Sequence, residues 1–185
     1  MNTKFCNNFI RAFIFLALSP TVFAGDIVID SASVVEYNGG PVVRSKMDFK
    51  FSDSAIEALQ NGVDLYLEFN LKIKRSRKYI WDKRVAQLTK RIKIERHALT
   101  DRYVLTDLLD QQRRIFESLQ SAFSGINEMS DIPVGSFSEL AEDEYRLAVR
   151  ARLDIESLPA PLRPIAYVSP SWRMSSGWYE WNSVY

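Results

Sequence analysis

Cysteine is almost absent from this chain. Its one thiol, Cys6, lies near the amino terminus, so the rest has no disulfide to staple a fold and no thiolate to act as nucleophile or metal ligand. Histidine is as scarce. His97 stands alone, which rules out a multi-histidine metal site, and a Ser-His-Asp triad would have to be built on it. No serine sits in a G-x-S-x-G elbow and no glycine-rich phosphate loop leads into a helix, so His97 reads as a turn residue at a strand end. No cofactor or metal is expected. A carboxylate pair of the glycosidase kind has no fixed spacing, and the acidic residues single out no two candidates.

Long apolar runs are also missing, except at the start. Lys4 and Arg11 form a positive region, residues 12–18 are unbroken apolar, Ser19-Pro20 breaks the run, and Val22-Phe23-Ala24 suits a cleavage site. The stretch 9–24 falls short of the roughly 20 residues that span a bilayer. Residues 1–24 are therefore expected to be a signal peptide cut after Ala24, with a retained anchor as the alternative. Export follows from that reading. Lys4 and Arg11 leave with the leader, which takes the formal charge from +1 to −1 and gives no reason to expect nucleic acid.

What the remaining chain has is period-two patterning. Residues 26–37 and 43–51 read as strands of a hairpin around Asn38-Gly39-Gly40-Pro41. Ser54-Ala55-Ile56-Glu57 has capping-box spacing before a short helix that ends at Asn61-Gly62. Val63, Leu65, Leu67, Phe69, Leu71 and Ile73 then alternate with polar residues, the mark of a strand with one buried face. Further strands are expected at 88–95, 103–106 and 113–116, and a helix over 118–124 closed by Gly125. Ser136-Phe137-Ser138-Glu139 repeats the capping spacing. Tyr145 to Ile155 matches the 63–73 strand in length and pattern, so both are expected to be central. A helix near 162–167, with Pro161 in its first turn, and a last strand over 178–181 complete the pattern.

Two stretches carry most of the candidate chemistry. Residues 72–84, KIKRSRKYIWDKR, hold seven cations against Asp82 alone. They read either as a solvated hairpin end or as a contact for anionic phospholipid or lipopolysaccharide, made by Lys74, Arg75, Arg77, Lys78, Lys83 and Arg84 with Trp81 at the interface. The second stretch is 150–181, with Pro159, Pro161, Pro164, Pro170 and three of the four tryptophans. Its Arg150, Arg152, Arg163 and Arg173 lie around Asp154, Glu156 and Glu180. They form either an anion-binding pocket or ion pairs that pin the proline segment to the sheet. Trp172, Trp178 and Trp181 read as core aromatics, or as a ligand or partner surface if a ring is exposed.

Arg150-Ala151-Arg152-Leu153-Asp154-Ile155, Leu158-Pro159-Ala160-Pro161-Leu162-Arg163, Ser169-Pro170-Ser171-Trp172-Arg173 and Ser176-Gly177-Trp178-Tyr179-Glu180-Trp181 carry a resemblance, as do Trp81-Asp82 and Arg96-His97-Ala98-Leu99-Thr100. In these motifs the chain resembles the exported proteobacterial proteins of domain-of-unknown-function family 4390. The resemblance implies a signal peptide and a gene often near a membrane sensor histidine kinase. It implies no catalytic residues.

The expected fold is mainly β: one domain, 25–185, forming an antiparallel β-sandwich of about seven strands with two or three short helices, in an immunoglobulin-like arrangement if the strand order allows. The expected function, with that resemblance, is a non-enzymatic binding or adaptor protein in the periplasm of a Gram-negative bacterium, with an envelope protein such as the extracytoplasmic part of a sensor kinase as partner. The alternatives are peripheral binding to an anionic membrane surface and hydrolysis of cell-wall carbohydrate.

Overall fold

Alternating apolar residues become two antiparallel sheets that face each other across one apolar core. The computed structural model describes residues 25–37, 39–75, 83–134 and 145–183. The expected leader 1–24, the second capping spacing at 136–139, and Arg77, Lys78 and Trp81 lie outside the described residues.

The smaller sheet is built on a hairpin of β1 (Asp26–Tyr37) and β2 (Gly40–Lys50), turned at Gly39, whose φ of 80° suits a residue without Cβ. Its register slips between Ile29 and Ser31. The extra residue moves the inward parity of β1 from odd to even positions, so Ile27 and Ile29 share the core face with Ala32 and Val34. β2 keeps strict alternation, with Val43, Ser45, Met47 and Phe49 buried. Its far edge takes β7 (Ile132–Pro133) at Val42 and Val43. Beyond that, Asn127 substitutes for a strand, its carboxamide accepting from Met47 N at 2.9 Å and donating to Met47 O at 2.8 Å.

The larger sheet has the order β6-β5-β4-β3-β8-β9, every pair antiparallel. Its strands are β3 (Leu65–Arg75), β4 (Lys83–His97), β5 (Arg102–Asp107), β6 (Arg113–Phe116), β8 (Tyr145–Leu153) and β9 (Tyr179–Ser183). The two long patterned strands, β3 and β8, are central neighbours as expected. Leu65, Leu67, Phe69, Leu71 and Ile73 are fully buried against Leu147, Val149, Ala151 and Leu153. Each of these side chains larger than Ala151 contributes about 1.5–3 kcal/mol. Across the core Phe49 meets Phe69 edge-on, with ring centroids 6.5 Å apart.

The antiparallel two-sheet expectation stands, but the strands divide six and three rather than in the near-even way of an immunoglobulin-like sandwich, and there are nine among the described residues. A two-residue strand such as β7 is too short to show any period.

Among the described residues three α-helices cover the core's ends. α1 (Asp53–Gln60) is capped by Ser52, whose hydroxyl accepts from Ala55 N, two residues earlier than the spacing at Ser54 suggested. α2 (Leu119–Met129) starts at a Ser118–Ser121 capping box and runs straight through Gly125. That glycine is no terminator. A Cβ there would lie 2.2 Å from Phe116 Cζ, so its bareness lets the helix approach β6. α3 (Arg163–Val168) has Pro164, not Pro161, in its first turn.

Candidate functional site

The outward face of the larger sheet collects charge for a simple reason. Residues of even number along β3 and β8 point away from the core, and in this sequence most of those are basic. Lys72, Lys74, Arg146, Arg150 and Arg152 share that face with Glu68 and Glu180. Trp178 lies just before β9, whose Tyr179 pairs with Val149, and so sits beside Arg150. It is half-buried, with Lys72 Nζ 3.7 Å and Arg150 Cζ 4.6 Å from its ring centroid. Both cations meet the negative face of the indole.

Two sets of residues that are far apart in sequence therefore meet. Lys74, from the basic run, stands across from Arg146, four residues before Arg150. Arg75 ends β3 and is exposed; Lys83 and Arg84 begin β4 in register with Arg75 and Lys74. The rest of the run lies outside the described residues.

The second set divides. Trp172 is core, 6% exposed, and Trp181 is half-buried on the inward face of β9, packed against that core beside Tyr179 at 6.0 Å. Arg163 donates to Leu158 O at 2.8 Å and Arg173 to Tyr167 O at 2.9 Å, so both brace the proline segment rather than meet Arg150. The expected ion pairs change partners. Asp154 goes to Arg91, Glu156 accepts from the Tyr167 hydroxyl, and Glu180 faces Lys74 at 3.8 Å. Arg152 reaches Glu68 at 2.8 Å. Arg150 Nε is buried without an acceptor among the described residues, so the ring rather than a carboxylate positions that guanidinium.

The face is electrostatically set. Burial pushes the Glu68 carboxyl up, but hydrogen bonds from Asn70 and Arg152 outweigh it and hold the group below its usual range. At the β4–β5 side, burial alone would raise Glu95, yet Lys93 overrides it and the carboxyl ends lowered. Lys93 is in turn raised, because Glu95 and Asp64 outweigh its own desolvation. His97 is exposed at the end of β4, where its carbonyl accepts from Thr100 N.

A second feature lies on the other side of the core. An open groove of about 1520 Å³ runs along β2, past the C-terminal end of α2 and the β5–β6 turn. Lys90 and Asp107 line it, 8% and 2% exposed, with Lys90 Nζ 2.7 Å from Asp107 Oδ2 and 2.8 Å from Asp131 O. At its rim Arg44 grips Asp131 at 2.6 Å and Arg114 holds Glu128 at 2.5 Å. Sequence reasoning passed over this pair. The signal was there, since Lys90 occupies an inward position between Leu88 and Ile92, where an apolar residue belongs. Among the described residues no group of three or more metal-ligating side chains converges, and no helix is long and apolar enough to cross a membrane.

Fold and surface together define a two-sheet, all-antiparallel β protein with one polar, cation-rich sheet face. Residues 24–182 match the family described as Domain of unknown function (DUF4390), and the chain belongs to that family. No curated protein and no solved structure matches it.

Proposed function

We propose that this is an exported, non-enzymatic binding or adaptor protein of the cell envelope, working in the periplasm, and that it presents the outer face of β3, β8 and β9 to an acidic surface of an envelope protein. The extracytoplasmic part of a sensor kinase is the partner of choice. The observation that carries this reading is Trp178, half-buried and flanked by Lys72 and Arg150 on a face with more cations than carboxylates. Trp and Arg are the residues on which interface energy concentrates, and charge complementarity selects an anionic partner.

A membrane-surface reading draws on Lys74 and Arg75, which place the start of the basic run beside the same face. That reading puts Trp81 at the lipid interface, a residue outside the described ones, whereas the indole on the described face, Trp178, is already engaged by Lys72 and Arg150. The test is cross-linking in living cells from a photoreactive residue at the exposed position 152, with and without Arg146→Glu and Arg150→Glu. One protein adduct that the charge reversals remove supports the adaptor reading. Adducts to lipid favour the membrane instead, and a pattern indifferent to charge reversal contradicts both.

A further inference from the structure

We propose that α3 and the prolines around it form a membrane-contact surface that rests on the leaflet of an anionic phospholipid bilayer, apart from the cationic sheet face. The helix is inside out for one in water. Its buried residue is the small Ala166, while Ile165, Tyr167 and Val168 stand 57%, 46% and 74% exposed. Pro159, Pro161, Pro164 and Pro170 are exposed as well and extend the apolar surface along the chain. Single exposed apolar residues are ordinary, but a run of them marks a surface that something else covers.

Charge identifies the cover. No Asp or Glu occurs from residue 157 to residue 179, and the stretch carries Arg163 and Arg173, both exposed. Arg163 donates through Nε to Leu158 O and Arg173 through a terminal nitrogen to Tyr167 O, so both heads are held beside the helix. Neither has a carboxylate partner among the described residues, and their other N–H groups suit phosphate oxygens. Glu156, the last carboxylate before the stretch, accepts from the Tyr167 hydroxyl. Tyr167 thus joins an exposed ring to a hydrogen-bonded tip, the form in which tyrosine sits at a bilayer interface. Exposed aliphatic side chains flanked by arginines match a leaflet, the aliphatics entering the acyl boundary and the guanidinium groups meeting the phosphates. The course of the chain agrees. A Cβ on Gly25 would strike Met174 Sδ, and Met174 follows the 3-10 turn Pro170–Trp172 that packs on α3. On the export reading proposed above, the bilayer is met first from that end of the chain.

The test is flotation of the chain from Gly25 onward, which carries every described element, with vesicles of phosphatidylglycerol and phosphatidylethanolamine at low salt. Binding is expected there and not with phosphatidylcholine vesicles. Ile165→Glu/Val168→Glu should lower the partition coefficient at least about tenfold with the melting temperature unchanged, since neither side chain is core. Arg146→Glu/Arg150→Glu on the sheet face should lower it far less. An environment-sensitive fluorophore at position 168 should shift to the blue on the vesicles, and one at position 109 should not. The proposal is overturned by absence of flotation, by equal binding to phosphatidylcholine, by binding that the sheet-face variant loses and the helix variant keeps, or by a fluorophore at 168 that stays in water. A photoreactive residue at position 168 that captures a protein and no lipid in living cells overturns it too.

Discussion

Trp172 and Trp178 lie six residues apart and have opposite fates. Trp172, 6% exposed, is core, and Trp172→Ala should cost about 3–5 kcal/mol. Trp178 is half-buried on the outer face, so Trp178→Ala loses partial burial and two cation contacts, about 1–2 kcal/mol. Urea denaturation of the two variants measures the gap; equal losses would contradict the placement. The Lys90–Asp107 pair obeys a different rule. Lys90→Met strands a buried carboxylate and should cost about 3–5 kcal/mol, whereas adding Asp107→Leu should recover most of that loss. A double variant no more stable than the single one would contradict the buried pair. Single residues of this kind are where the sequence was least legible. Lys90 is readable as an exception to an apolar parity, but its partner Asp107 comes from another strand, whose packing no local pattern encodes.

Elements were more legible than their ends. Period-two alternation located β3 and β8 and their adjacency, because a strand buried on one face must alternate. Caps were misplaced where two serines compete: Ser52 wins over Ser54 because the chain turns into α1 directly after Phe51, the last buried apolar residue of that run. Gly125 misled for a related reason, since a glycine at a helix end and a glycine at a close helix–strand contact look alike in sequence. The β2 edge gives a prediction at this scale. Asn127→Leu removes both bonds to Met47 and leaves a buried strand edge unsatisfied, a loss of about 2–3 kcal/mol. Amide exchange at Met47 should accelerate far more than at Phe69 in the same variant. Unchanged protection at Met47 would mean the carboxamide is not what closes that edge.

For the whole molecule, the sheet face couples stability to pH. Glu68 and Glu95 have folded pKa values held below the ordinary 4.5. A depressed carboxyl stabilises the fold fully above its unfolded pKa and loses that contribution as pH falls through the folded value. Stability should therefore be flat with respect to these groups near neutrality and decline in acid, and Glu68→Gln should narrow its deficit relative to the parent as pH drops below about 4. A deficit that stays constant through the acid range would show that Glu68 is not held ionised by Arg152.

The claim on which the account turns is that the outer face of β3, β8 and β9 is where this protein meets an acidic partner. The most direct measurement compares photo-cross-linking in living cells from position 152 on that face with cross-linking from position 109, an exposed site on the far groove. The account predicts a protein adduct from position 152 that disappears with Arg150→Glu, and no such adduct from position 109. The same adduct from both positions, or one from 152 that survives the charge reversal, would contradict it.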